Sequence, residues 1–145
     1  MKDTWISSLA LGNLARVRLC AADDPALARQ LLAEALWLAR ERNDRRIAAE
    51  WIGTLAAARA LEGRTADAAR FCACAEVLRE STGAELYPAE RMIRERFLDS
   101  IRTDSTFPAA LEAAQGLSTD ELIGLAVAAA SERSAETVAS PAIVR

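Results

Sequence analysis

Two alanine-rich apolar segments stand back to back between Leu55 and Glu80, joined by Gly63-Arg64-Thr65, and each is long enough to be a helix. A short glycine turn between two such segments predicts a helical hairpin, because glycine enters the left-handed backbone region that ends a helix at no steric cost. On the second segment Ala68, Cys72 and Ala75 fall at i, i+4 and i+7, so one face carries small side chains that let another backbone approach closely. Ala28, Leu32 and Ala35 repeat that device forty residues earlier, and Leu11-Gly12-Asn13-Leu14-Ala15 precedes Ile52-Gly53-Thr54-Leu55-Ala56 by forty-one. A chain that repeats a hairpin at about this interval builds its core by stacking like units, each burying its apolar face against its neighbours.

Composition points the same way. Alanine and leucine dominate, there are only 4 prolines and 6 glycines, aromatics are 5% of the chain, and runs of β-branched residues are missing. The reading is an all-α protein of about seven antiparallel helices arranged as a right-handed solenoid over residues 1–131, with 132–145 as a flexible tail because Ser, Glu, Thr, Val and Pro there lose all periodicity. Basic and acidic residues, 18 and 21, are interleaved, so no broad positive field exists to hold nucleic acid. Asn13, Arg16 and Arg18 interrupt the first apolar segment, which argues against a membrane span and a signal peptide. Three cysteines, two of them at i and i+2, do not form a secreted disulfide framework, so a cytoplasmic location is expected.

Local signals place the helix ends. Asp3 or Thr4 opens the first helix, which runs to about 22; Asp23-Asp24-Pro25 caps the second, with proline at a position whose amide has no intrahelical partner. The second helix, to about 42, turns Ala28, Leu31, Leu32, Ala35, Leu38 and Ala39 inward and Arg29, Gln30, Glu34, Trp37 and Glu41 outward. Asn43-Asp44 separates it from a third helix at 45–62, with Trp51, Ile52, Leu55 and Ala58 inward. Gly63 and Gly83 bound the fourth, Pro88 opens a fifth at 89–101, and a short sixth covers 106–115. Ser118 with Glu121 three residues on forms a capping box for a seventh that runs to about 130.

Leu11-Gly12 and Ile52-Gly53, followed by Ala28-Leu32-Ala35 and Ala68-Cys72-Ala75, resemble the tetratricopeptide pattern, in which Leu-Gly marks the first helix of a pair and spaced alanines mark the second. A second resemblance covers 66–127. Ala69 to Glu80 (ARFCACAEVLRE), Gly83-Ala84, Pro88-Ala89-Glu90, Phe107 and Leu117 to Leu122 (LSTDEL) look like the C-terminal helical region of bacterial signal-transduction ATPases and LuxR-type regulators. What this resemblance implies is a sensing or interaction module. It carries over no catalysis, because neither a phosphate-binding loop nor a helix-turn-helix accompanies it in this sequence.

Ordinary packing or capping competes with each candidate role. On one helix Cys72 and Cys74 point about 200° apart and cannot chelate one ion, so core packing accounts for them and no metal or other cofactor is expected. With no histidine the chain lacks the usual general base near neutral pH, and Asp23-Asp24 and Asp120-Glu121 read as caps, so no catalytic residues are assigned. Arg40, Arg45 and Arg46 belong to a basic cluster, RERNDRR, at a helix–helix turn: either a solvated turn or a contact for an anionic partner. Trp37 sits on the polar side of the second helix, where it either packs on a neighbouring unit or anchors a partner. Trp5, Ile6, Leu9, Leu11, Leu14, Val17 and Leu19 spread around more than one face of the first helix, leaving apolar surface that an upstream repeat or a second copy would cover. Trp37, Arg40, Arg45, Arg46 and Leu9 are therefore the expected partner-binding residues of a non-catalytic module that binds a protein or itself as a homodimer. A small effector held in the groove between hairpins is the alternative.

Overall fold

The computed structural model describes residues 3–21 and 23–132. Among these residues it is all-helical, with seven helices and no strand. They are α1 (Thr4–Cys20), α2 (Pro25–Glu41), α3 (Arg45–Leu61), α4 (Thr65–Thr82), α5 (three contiguous segments, Pro88–Ile93, Arg94–Leu98 and Asp99–Arg102), α6 (Phe107–Gln115) and α7 (Thr119–Ala130). Of the expected tail, 132–145, all but Glu132 lies outside the described residues.

The helix ends follow the local chemistry. The carboxylates of Asp3, Asp24 and Asp44 accept from the backbone N–H of Trp5 (3.0 Å), Leu27 (3.1 Å) and Ile47 (3.0 Å), so three successive helices begin on an aspartate. Each such cap is worth about 1 kcal/mol over alanine. Asn43, Gly63 and Gly83 occupy the left-handed region (φ 55°, 76° and 69°), where the chain leaves α2, α3 and α4. Ser118 and Glu121 form the capping box at α7. The middle of α5 departs from expectation: Arg94–Leu98 is a π-helical turn. Such a turn inserts one residue and rotates the following side chains by about 100°, and it often accompanies a functional site.

Helix α3 is the centre of the molecule. It packs against α2 and α1 on one side, α4 on another and α5 on a third. It is consequently buried almost all round, including Trp51, Ile52, Leu55 and Ala58 as the periodicity predicts. Helix α5 lies on α3 and α4, and α6 lies on α4. A linear stack would leave the last helix touching only the units beside it. Instead α7 turns back and lies across α2, α3 and α4, burying Leu122, Ile123, Ala126 and Ala130.

That return explains a correction. Arg29, expected on the outer face of α2, is 3% exposed, and Arg59 of α3 is 2% exposed. Arg29 Nε donates to both oxygens of Glu62 (3.0 Å each) and its Nη1 donates to the Glu132 carbonyl (2.8 Å). Arg59 Nη2 donates to the Ala129 carbonyl (3.2 Å) and to the Glu132 carboxylate (2.6 Å). Two buried guanidiniums thus satisfy the free carbonyls and the negative dipole end of α7. Leu36, absent from the predicted inward face, is fully buried, whereas Leu31 is only half-buried.

Candidate functional site

The residues expected to meet a partner are dispersed. Trp37 is 47% exposed on α2, and Arg40 and Arg45 are exposed beside the α2–α3 turn. Leu9 is half-buried and packs against the core, so it offers less surface than its neighbours on α1. Arg46 is engaged internally: its guanidinium lies 3.7 Å from the centre of the Tyr87 ring, 3.7 Å from Glu50 and 3.8 Å from Glu90.

The open apolar surface lies on α1. Ser8, Gly12, Ala15, Arg16 and Leu19 face inward, Ser8 by donating to the Ala35 carbonyl (2.8 Å) and accepting from Trp51 Nε1 (3.1 Å). On the opposite side Ile6 (57% exposed), Ala10, Leu14 and Val17 (54%) succeed one another at helical spacing. Trp5 adds exposed aromatic surface at the start of the helix. No described element covers this stripe.

A concave counterpart is formed elsewhere. Between α4, α6 and α7 runs an apolar trough of about 580 Å³, lined by Ala113 and Ala114 of α6 and by Gly124, Leu125 and Ala128 of α7. Arg70 and Glu121, both exposed, are its only charged lining residues among those described. Cys74 lines it from α4, and burial pushes this thiol up to about 11. A Cβ built on Gly124 meets nothing within 4 Å, so packing within the chain does not call for glycine at that place.

Charged side chains converge beneath α5. Glu50 pairs with Arg16 and Arg46, Glu90 with Arg79 and Arg46, and Glu76 with Arg94 (3.4 Å) and Arg102 (2.5 Å). Of these, Glu50, Glu76, Glu90, Arg79 and Arg94 line a cavity of about 30 Å³ between α3, α4 and the π-turn of α5. Desolvation raises the Glu50 carboxyl above its ordinary 4.5, with Arg16 opposing and Glu90 reinforcing the rise. Cys72, on the same wall, is pushed up to about 12 by burial and then by Glu76. Apart from Arg46 and Glu50, four residues apart on α3, the paired groups lie on separate helices, which local spacing in the sequence does not bring together. The available signal was register: Glu50 immediately precedes Trp51 in an alanine-rich helix.

No group of three or more His, Cys, Asp or Glu among the described residues is arranged to hold a metal ion, and no described helix is long and apolar enough to cross a membrane. No family model, curated protein or solved structure matches the chain.

Proposed function

We propose that this chain is a non-catalytic protein-interaction module that associates head to tail, the outer face of α1 in one copy seating in the α4–α6–α7 trough of the next. The observation that carries the reading is the uncovered stripe Ile6, Ala10, Leu14 and Val17, which is apolar where a solvent face should be polar. The trough suits a helix because its walls are alanine and glycine, so a helical ridge can sink between them. Glycine in a helix interior costs about 1 kcal/mol relative to alanine, and Gly124 has room for the extra carbon; close approach by a partner backbone supplies a reason for the missing side chain. Stripe and trough belong to different helices, so the contact joins unlike surfaces and propagates along a chain of copies. The likeness of 66–127 to the helical region of bacterial regulators supports the same class of function, a sensing or interaction module. A small apolar effector in the trough is the second reading, favoured by a volume inside the roughly 300–1,000 Å³ range of ligand sites.

Light scattering over a concentration series tests the assembly with two variants, Val17→Glu on the stripe and Gly124→Glu in the trough. The wild type should gain mass with concentration, and each variant should remain a folded monomer. Because each variant keeps one intact surface, an equimolar mixture should recover a one-to-one dimer. A wild type that stays monomeric, or a mixture that does, refutes head-to-tail association.

A further inference from the structure

Two sulfur atoms from distant parts of the chain meet at the end of α1. Cys20 Sγ, on the last residue of α1, lies 4.0 Å from Met92 Sδ on α5, 72 residues further along the sequence. Arg96 Nη2 of α5 donates to the Cys20 carbonyl (3.1 Å), a second link that fixes α5 against this end of α1 and holds the two sulfurs in place. Core packing does not account for the methionine: Ile93, Leu98 and Ile101 of α5 are buried, whereas Met92 is 40% exposed. Cys20 is half-buried and carries a free thiol. Cys72 and Cys74 differ from it, since both lie in the core and burial keeps both thiols protonated.

We propose that Cys20 and Met92 bind one soft monovalent metal ion, copper(I), at the outer junction of α1 and α5. Donor chemistry sets the class of ion. A thiolate with a thioether selects copper(I), whereas zinc is held by thiolate, imidazole and carboxylate, and calcium and magnesium by oxygen. Geometry sets the coordination. A metal–thiolate bond is about 2.3 Å long, so two sulfurs 4.0 Å apart subtend about 120° at an ion that touches both. That is the angle of a trigonal ion, and the third position faces the surface, open to an exchangeable ligand. As copper(I) binds, the thiol proton passes to solvent, and the thiolate neutralises the charge of the ion. The proposal does not rest on self-association, since neither sulfur belongs to the α1 stripe or to the trough.

Copper(I) held by the chelator bicinchoninate, without oxygen and with ascorbate as the reductant so that no free thiol is present, is the probe. The wild type should withdraw one equivalent, and X-ray absorption at the copper edge should show two sulfur neighbours at about 2.3 Å. Cys20→Ser should abolish uptake. Met92→Leu should weaken it by about 10–100-fold, the loss usual for substitutions around a metal site. Both side chains stand at the surface, so circular dichroism should show both variants folded. A Met92→Leu protein that binds copper as tightly as the wild type would reduce the site to one surface thiol, and a Cys20→Ser protein that still takes one equivalent would move the metal to Cys72 or Cys74. Either result, or a wild type with no uptake, overturns the proposal; if a variant does not fold, a wild-type spectrum with fewer than two sulfurs overturns it.

Discussion

Gly12 and Gly53 stand at the same place in the similar segments 11–15 and 52–56, but the structure gives them opposite roles, and substituting each by alanine separates them. A Cβ built on Gly12 would lie well under 3.0 Å from three atoms of the Trp51 indole. Carbon atoms pack at about 3.5–4.0 Å, so ring or helix must move by about an ångström. The ring has nowhere to go: Trp51 is fully buried, its Nε1 donates to Ser8 (3.1 Å), and the Arg16 guanidinium lies 4.9 Å from its centre. Overpacking of this kind costs about 1–3 kcal/mol, and loss of the buried Trp51–Ser8 bond about 1 kcal/mol more. The gain in helix propensity returns about 1 kcal/mol, for a net loss of about 2 kcal/mol. At Gly53 the nearest atom to an added Cβ is that of Ala75, at 3.9 Å, an ordinary contact, so Gly53→Ala should stabilise by about 0.5–1 kcal/mol. Urea unfolding followed by circular dichroism and tryptophan fluorescence reads both variants. Trp51→Phe in the Gly12→Ala background should recover part of the loss, giving a coupling energy of opposite sign to the single effects. Equal stability for Gly12→Ala and wild type, or strictly additive effects with Trp51→Phe, would refute the close approach of α1 and α3.

Arg59→Met removes a guanidinium that serves Glu62, the Ala129 carbonyl and Glu132, and should cost about 3 kcal/mol while accelerating hydrogen exchange across residues 117–132; unchanged exchange in that segment would mean that α7 is not held through its C-terminal end. Glu50 supplies a pH dependence. Its folded pKa is raised above 4.5, so the folded state binds the proton more tightly; the stabilising contribution is complete below 4.5 and is lost as pH climbs through the folded value. Glu50→Gln should therefore remove a fall in urea stability as pH rises above 4.5, and superimposable pH profiles for the two proteins would contradict that origin.

What the sequence disclosed was local. The aspartate caps, the Gly63 and Gly83 stops, proline at the start of α2 and α5, and the Ser118–Glu121 box each depend on residues within a few positions, and each is where the pattern put it. What it concealed was long-range. Arg29 and Arg59 are polar and were read as solvent-facing or passed over, but Arg29 is in register with Leu32 and Leu36, and Arg59 with Ile52 and Leu55. A charge on an apolar stripe signals a partner. Glu62 is within local reach of Arg59, but no local rule places Glu62 beside Arg29 or brings up the Ala129 carbonyl of α7 and Glu132 just past it. The π-turn has no proline or glycine to announce it, and the trough exists only because α7 returns across α2, α3 and α4. The same limit dispersed the expected partner-binding set. Arg46 looked like part of an exposed basic turn until Tyr87 and Glu90 on the other side of α4 were brought against it.

The forty-one-residue offset between α1 and α3 also bears on the open face of α1. Moving forty-one residues along the chain takes Ile6, Ala10, Leu14 and Val17 to Ile47, Trp51, Leu55 and Ala58. All four counterparts on α3 are buried, whereas all four originals are exposed. On α3 that face includes Trp51, which inserts against Gly12 of the preceding unit. The corresponding face of α3 is thus the one that packs on α1, and on α1 no described element covers it. Its natural complement is a surface of small residues with a gap for a side chain, the chemistry of Gly12 on α1 and of Gly124 in the trough. This is why Val17→Glu, which places a charge on the docking register without touching the buried Ser8, Gly12 and Leu19 face, should abolish assembly and leave the fold intact.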